Sequence, residues 1–234
     1  MTIRQFTSNI LTTLKADSID NWLSPKYIYE ESLTVTKNYL KKDNSSNLML
    51  YSQIEGWSVL SCIEMEVGDL ASCGLDVSVC TKVMKSKKRL PEIYTSKVAP
   101  LIKEVASVDY SKTYTYIKTF NQWKNTQKRE FISKRYFVIS DGYLFIPIGK
   151  KDNIESPEVV VMNCYAVSKQ EVDVFNGVES CKKFADYELV IPSYLIDDVK
   201  TSILNSLRQV YLQVQEDAMP NLNSQEKSNP KTLG

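Results

Sequence analysis

Enzymatic chemistry needs groups that can move a proton, hold a metal or attack an electrophile, and this sequence is short of them. Its 234 residues contain no His, which excludes Ser-His-Asp and Cys-His catalysis, HExxH zinc sites and Cys/His fingers. Carboxylates stand in pairs at Glu64/Glu66, Asp197/Asp198 and Glu216/Asp217. Adjacent residues on a helix point to different sides, and Glu64 and Glu66 share one strand face, so all three pairs read as solvated surface. A glycosidase would instead set two carboxyl groups facing each other across a cleft. The cysteines, Cys62, Cys73, Cys80, Cys164 and Cys181, are odd in number and form no CxxC. They read as reduced, mostly buried small apolar residues of a reducing compartment. A zinc site would need Cys73 and Cys80 to find further ligands across loops. The glycines are scattered, and GxGxxG, GxxxxGKS/T and GxSxG are all missing, so no phosphate cradle is expected. The reading is of a chain without catalytic residues, metal or cofactor.

Two clusters could instead make contacts. Lys82, Lys85, Lys87, Lys88 and Arg89 put five cations into eight residues, which suits nucleic acid or an acidic neighbouring subunit. The plain alternative is a solvated loop between strands. Lys124, Lys128, Arg129, Lys134 and Arg135 form a more diffuse basic zone that reads as ordinary surface. Tyr110, Tyr114 and Tyr116 precede Phe120 and Trp123; such a group either anchors an interface or packs a sheet. Lys and Arg number 29 against 28 Asp and Glu, a net charge of +1, so the whole chain lacks the basic excess of a dedicated nucleic-acid binder. No apolar run approaches a membrane span, and the polar start MTIRQFTSNIL lacks the apolar core of a secretion signal. The expectation is a soluble protein without a membrane partner.

Local signals place the elements that would carry these residues. Thr2-x-x-Gln5 is a capping box opening a helix with Ile3, Phe6, Ile10, Leu11 and Leu14 at helical spacing, ending near Ala16. Ser24 and Pro25 are the N-cap and first position of a second helix, with Ile28, Val35 and Tyr39 on one face and Asp43 to Ser46 as its stop. From about Leu48 the period becomes two. Val59 to Val67 alternates as a strand, and Pro91 to Tyr94, Leu101 to Val108 and Glu158 to Ala166 follow as strands. Tyr136 to Ile146 is a β-hairpin about Asp141-Gly142, whose two central residues suit a type I′ turn. Asn121 to Lys128 reads as a short helix. Ser168-x-x-Glu171 opens another that ends near Gly177. Pro192-Ser193 begins the longest helix, with Ile196, Val199, Ile203, Leu207, Val210 and Val214 in steps of three and four. After Gln215 the composition turns polar, and such a segment cannot offset its ordering entropy alone.

The resulting expectation is an α+β protein. Two N-terminal helices (1–47) and the C-terminal helices (168–215) form a bundle, an antiparallel β region (48–167) is inserted between them, and 216–234 is an extended or disordered arm. The bundle core would be Ile3, Phe6, Ile10, Leu14, Ile28, Val35, Ile196, Val199, Ile203, Leu207 and Val210.

The order of these parts carries a resemblance. It rests on the helix MTIRQF…ILTTLK, the second helix SPKYIYEESLTVTKNYLKKD, the β segments VLSCIEMEV, KSKKRLPEIY and ISDGYLFIPIG, and the ending IPSYLIDDVKTSILNSLRQVYLQVQEDAMPNLNS. The chain resembles the ring proteins below the portal of crAss-like bacteriophages and, more broadly, the head-to-tail adaptors of short-tailed phages. The resemblance implies a non-enzymatic virion protein, assembled in the bacterial host cytoplasm into a closed ring, commonly of twelve. Its implied partners are further copies of itself, the portal, neighbouring tail rings and, transiently, DNA in the lumen. It also implies a C-terminal arm that clasps the portal, here Met219, Pro220, Asn221, Leu222 and Asn223. The Lys82 to Arg89 run would then face a neighbouring subunit or the DNA. The reading from charge alone, a nucleic-acid-binding module using that run, stands beside it.

Overall fold

A computed structural model describes residues 1–16, 23–42, 54–69, 82–120, 122, 135–148, 159–178 and 181–218. Their helices are α1 (Ile3–Ala16), α2 (Pro25–Lys42), α3 (Lys169–Phe175) and α4 (Ile196–Ala218). Their strands are β1 (Ser58–Asp69), β2 (Lys82–Ser86), β3 (Ile102–Ser107), β4 (Thr113–Tyr116), β5 (Arg135–Ser140), β6 (Tyr143–Pro147) and β7 (Val159–Cys164). Three helix starts form as their cap residues dictate, whereas Pro192-Ser193, expected to begin the longest helix, leads into a 3-10 turn (Ser193–Leu195) and α4 starts at Ile196. Gln5 N–H donates to Thr2 Oγ1 at 3.2 Å while Thr2 N–H donates to Gln5 Oε1 at 3.0 Å, satisfying orphan donors on both sides of the turn. Tyr27 N–H donates to Ser24 Oγ at 3.1 Å. Ser168 Oγ accepts from Glu171 N–H at 3.4 Å, and Gly177 follows α3 at φ +71°.

The seven strands close into a barrel in the order β1-β2-β6-β5-β4-β3-β7, with β7 returning to β1. This overturns the expected helical bundle with an inserted antiparallel β region: the protein is a closed seven-stranded barrel with four helices among the described residues. Nor is the sheet wholly antiparallel, because β4 and β5 run parallel, with Tyr114 opposite Arg135. A parallel neighbour needs a crossover, not a tight turn, which is why 18 residues, 117–134, separate these two strands. Closure leaves no barrel strand with a free edge and turns one face of each strand into an interior. Leu60, Ile63, Met65, Val105, Phe137, Leu144, Val160 and Met162 fill it.

Strand β1 changes phase midway. Leu60 lies opposite Met162, but Ile63 lies opposite Val160, so two residues of β1 face one of β7. The extra residue makes a bulge, with Cys62 exposed at φ +54°. Leu60 therefore points inward before the bulge and Ile63 and Met65 after it, while Val59 and Val67 are exposed. A simple alternation from Val59 to Val67 would have put Val59, Ile63, Met65 and Val67 on one mainly apolar face; the bulge instead buries Leu60 with Ile63 and Met65. The β5–β6 hairpin turns as its sequence requires, with Asp141 at φ +50° and Gly142 at φ +78°. Outside the barrel, Ile117 and Phe120 lie over β2, β5 and β6 and bury Val83, Val138 and Phe145 in a second, outer cluster. Thus the first residues of the parallel crossover cover one outer face of the sheet. The expected short helix at 121–128 lies almost wholly outside the described residues.

The helices cover the end of the barrel where β3 begins and β7 finishes. Phe6, Ile10 and Leu14 of α1, Ile28 and Leu40 of α2, and Val199, Ile203 and Leu207 of α4 share one core with Tyr94, Leu101, Tyr165 and Val167. Tyr94 donates from its hydroxyl to Val190 O at 3.0 Å. The α2 stripe is partly polar: Ser32 Oγ donates to Tyr29 O at 2.6 Å and Thr36 Oγ1 to Ser32 O at 2.7 Å. Such short side chains satisfy themselves on their own helix and allow close approach. Ile3 is buried elsewhere, with Tyr29 and Tyr187. Val35 and Ile196 are half-buried at the margin of the main core. Val210 is not core; it is 40% exposed, because the apolar period of α4 continues past its packing partners. Helix α4 reaches Ala218, three residues into the segment expected as an arm. Residues 219–234 lie outside the described residues.

Candidate functional site

The segment expected as a strand at Pro91 to Tyr94 is an extended stretch held by isolated bridges, Ile93 to Ala166 and Thr95 to Pro100. Its position follows from two contacts. Leu90 N–H donates to Gly142 O at 2.7 Å, tying the chain to the hairpin turn. Four residues on, Tyr94 N–H reaches Tyr165 O at 3.0 Å. Between the hairpin and this segment lies a groove of about 600 Å³, lined by Arg89, Leu90, Pro91, Glu92, Ile93, Thr95, Pro100, Ile139, Gly142 and Glu171. Its lining mixes the apolar Leu90, Pro91, Ile93, Pro100 and Ile139 with the charged Arg89, Glu92 and Glu171.

The lining carboxylates are already committed. Glu92 Oε1 is 2.8 Å from Lys37 Nζ on α2. Glu171 Oε2 accepts from Glu92 N–H at 3.2 Å, so the acidic member of the second capping box fastens α3 to the 91–95 segment. Arg89 lies across Gly142 so closely that a Cβ there would be 2.6 Å from its Nε. Among the described residues no carboxylate lies within 4 Å of Arg89 to pair with it. At the start of α3, Lys169 Nζ donates to Gly56 O at 2.7 Å and Ser58 Oγ at 3.0 Å. Its ammonium is held below the ordinary lysine range, first by burial, with nearby Glu188 acting in the opposite sense. Burial likewise pushes the Tyr94 and Tyr165 hydroxyls well up. These groups organise the barrel end; none places a nucleophile beside a base. Among the described residues no three His, Cys, Asp or Glu side chains gather to hold a metal, and no helix is long and apolar enough to cross a membrane.

The basic run does not form one patch. Lys82 and Lys85 stand on β2, and Lys87 to Arg89 follow it. Lys85 Nζ sits 4.3 Å over the Tyr143 ring on the outer face. Lys87 Nζ pairs with Glu64 Oε2 at 2.9 Å, and this contact lowers the Glu64 carboxyl from its ordinary range. Lys88 Nζ lies 6.0 Å from the Phe175 ring, and Arg89 borders the groove. Strand alternation and the bend at 87–88 thus send five neighbouring cations to different sides. The plain alternative of a solvated loop between strands is corrected in part, since Lys82–Ser86 is barrel strand and only Lys87, Lys88 and Arg89 lie beyond it.

The aromatic group divides similarly. Tyr114 and Phe120 are buried, Tyr116 is half-buried, and Tyr110 is 55% exposed at φ +56° in the β3–β4 turn. Trp123 and the expected arm residues Met219, Pro220, Asn221, Leu222 and Asn223 lie outside the described residues. Of the diffuse basic zone only Arg135 is described, on β5. Sequence reasoning did not single out Glu92, Ile93, Thr95 and Glu171 as one site. Pro91 and the Ser168 capping box were visible locally, but their convergence depends on barrel closure.

Residues 5–227 match the family model described as phage tail ring protein 2, of crAss-like phages. No curated protein matches the chain.

Proposed function

Because the chain belongs to the phage tail ring protein 2 family of crAss-like phages, we propose that it is a subunit of a closed homo-oligomeric ring joining the portal to the tail. The match over residues 5–227 carries this reading. The family is one of structural virion proteins, and a ring protein associates with copies of itself. In the proposed assembly about twelve copies enclose part of the DNA channel, residues 219–223 contact the portal, and DNA passes the lumen during ejection. The particle is put together in the host cytoplasm.

The physical character of the chain supports such a role. A closed barrel with helices packed over one end is a stiff block, and stiff blocks keep a ring's rotation angle fixed. A ring is built from heterologous contacts, in which two different patches of each subunit meet. A duct must not grip its cargo, and each phosphate neutralised by a cation adds salt-dependent affinity. A net charge of +1 and a basic run dispersed by the fold both suit passage. Dispersal also removes the observation that favoured a nucleic-acid-binding module.

The test is mass photometry and negative-stain imaging of the purified chain, alone and with portal. Closed rings of uniform size, and a portal complex with matching axial symmetry, are expected. A monomer at all concentrations, with strongly salt-sensitive DNA affinity, would overturn the proposal.

A further inference from the structure

We infer that the free main-chain edge of residues 93–95 is one half of the contact between neighbouring copies, and that it accepts an extended segment of the next subunit as an added strand. The inference rests on the ring reading above and names the surface it uses.

The argument is one of backbone hydrogen bonds. Tyr94 N–H donates to Tyr165 O at 3.0 Å, Val167 N–H to Glu92 O at 2.8 Å, Leu101 N–H to Tyr94 O at 2.8 Å and Ser96 N–H to Ala99 O at 2.9 Å. Ile93 opposite Ala166 and Thr95 opposite Pro100 are therefore the positions that do not exchange bonds with their partners. At such positions the N–H and C=O point away from the paired strand. Ile93 and Thr95 thus present two donors and two acceptors, two residues apart, on the opposite edge. Among the described residues the bond made to these groups is a long one, 3.5 Å from Thr95 Oγ1 to Ile93 O. Proteins normally blunt an exposed edge of this kind.

The edge borders the groove: Ile93 and Thr95 line it together with Ile139 and Gly142 of the hairpin. Alternating donors and acceptors at strand spacing are supplied by another main chain. Ile93 and Ile139, both in the groove lining, supply apolar surface for side chains of an incoming strand. The charge pattern specifies it further. Glu92 is neutralised by Lys37, whereas Arg89 keeps its charge free of carboxylates among the described residues, so the added segment carries an acidic side chain opposite Arg89. A second copy is the occupant that fits a ring, because a strand offered on one side and a groove on the other close a circle without self-complementarity.

The experiment places the photo-crosslinker p-benzoylphenylalanine at Thr95 of the full chain and irradiates it at concentrations where mass photometry shows rings. A covalent dimer of this chain is expected, its cross-link mapping to an extended, acid-bearing segment. Ile93→Pro deletes the edge N–H without deleting an internal bond, and should abolish the dimer and weaken assembly by roughly tenfold or more. Should that variant misfold, amide exchange on the wild type decides: Ile93 and Thr95 N–H must slow on passing from diluted monomer to ring. Rings that form with no dimer, or with fast exchange at both amides, overturn this inference and leave the ring role standing. A cross-link to another tail protein or to portal also overturns it. If the wild type forms no ring, alone or with portal, the inference falls together with the reading beneath it.

Discussion

The carboxamide of Asn176 is locked onto the backbone of β1 at its bulge: Oδ1 accepts from Ser61 N–H at 3.0 Å, and Nδ2 donates to Val59 O at 2.9 Å. A bulge leaves ladder groups without strand partners, and here one side chain from the end of α3 replaces them. The contact joins the short helix to the barrel wall. Asn176→Ala should lower stability by about 1–2 kcal/mol, a fall in Tm of roughly 2–8 °C for a chain of this size. Asn176→Asp keeps the acceptor, loses the donor and sets a carboxylate against the Val59 carbonyl, so it should fall at least as far. Thermal unfolding by circular dichroism measures both, and an unchanged Tm for the alanine variant would show that the bulge needs no external partner.

Local chemistry made much of this molecule legible. The Thr2 and Ser24 caps, the Asp141-Gly142 turn and the Ser168 cap each depend on residues within a few positions, and each forms as its sequence dictates. Closure was not legible, because a period of two says that a strand has an apolar face and not whether the sheet meets itself. The bulge at Cys62 defeated a simple alternation, and the parallel pairing of β4 with β5 depends on contacts across a crossover. On α2 the buried stripe runs through Ser32 and Thr36, which hydropathy scores as surface. The groove was hidden for the same reason: Arg89, Ile93 and Glu171 are far apart in sequence and meet only when the barrel end is built.

The β3–β4 turn should report on acid. Asp109 accepts hydrogen bonds from the Ser107 hydroxyl and, at 3.2 Å, from Ser111 N–H. Ser107 first, then Ser111, holds its carboxyl down to about 2. The folded value lies below the unfolded one of about 4, so the contribution is present above that value and is lost as the pH falls toward 2. Asp109→Asn should therefore narrow its stability gap from the wild type across that window and not above it. Tm against pH for both proteins gives the comparison, and a gap that stays constant from neutral pH to 2 would refute the assignment. Tyr110 sits in this turn at φ +56°, so the same variant should loosen its exposed ring.

Thiol reactivity should sort the described cysteines by place. Burial pushes the Cys164 thiol up to about 12, whereas Cys62 and Cys181 are exposed. The thiolate is the nucleophile, so at mildly alkaline pH Cys164 lacks both ionisation and access. Brief alkylation of the native protein, followed by peptide mapping, should label Cys62 and Cys181 and spare Cys164 until denaturant is added. Labelling of Cys164 at a rate equal to the other two would mean that the β3–β7 side of the barrel opens readily.

Two substitutions on α4 separate folding from assembly. Ile203 is 1% exposed in the core shared by the helices and the barrel end, while Val210, two turns on, is 40% exposed. An aspartate at 203 would bury a charge with no partner, a penalty of about 3–5 kcal/mol or more, so Ile203→Asp should give insoluble or unfolded protein. Val210→Asp changes a site where surface substitutions usually cost within about 0.5 kcal/mol, and its monomer should keep the wild-type Tm. If the ring covers this end of α4, that same variant should still lose rings in mass photometry, because a new charge opposes burial at a subunit contact. Soluble, helical Ile203→Asp would remove α4 from the core. Intact rings of Val210→Asp would instead leave the core where it is and put the exposed end of α4 outside every contact between subunits.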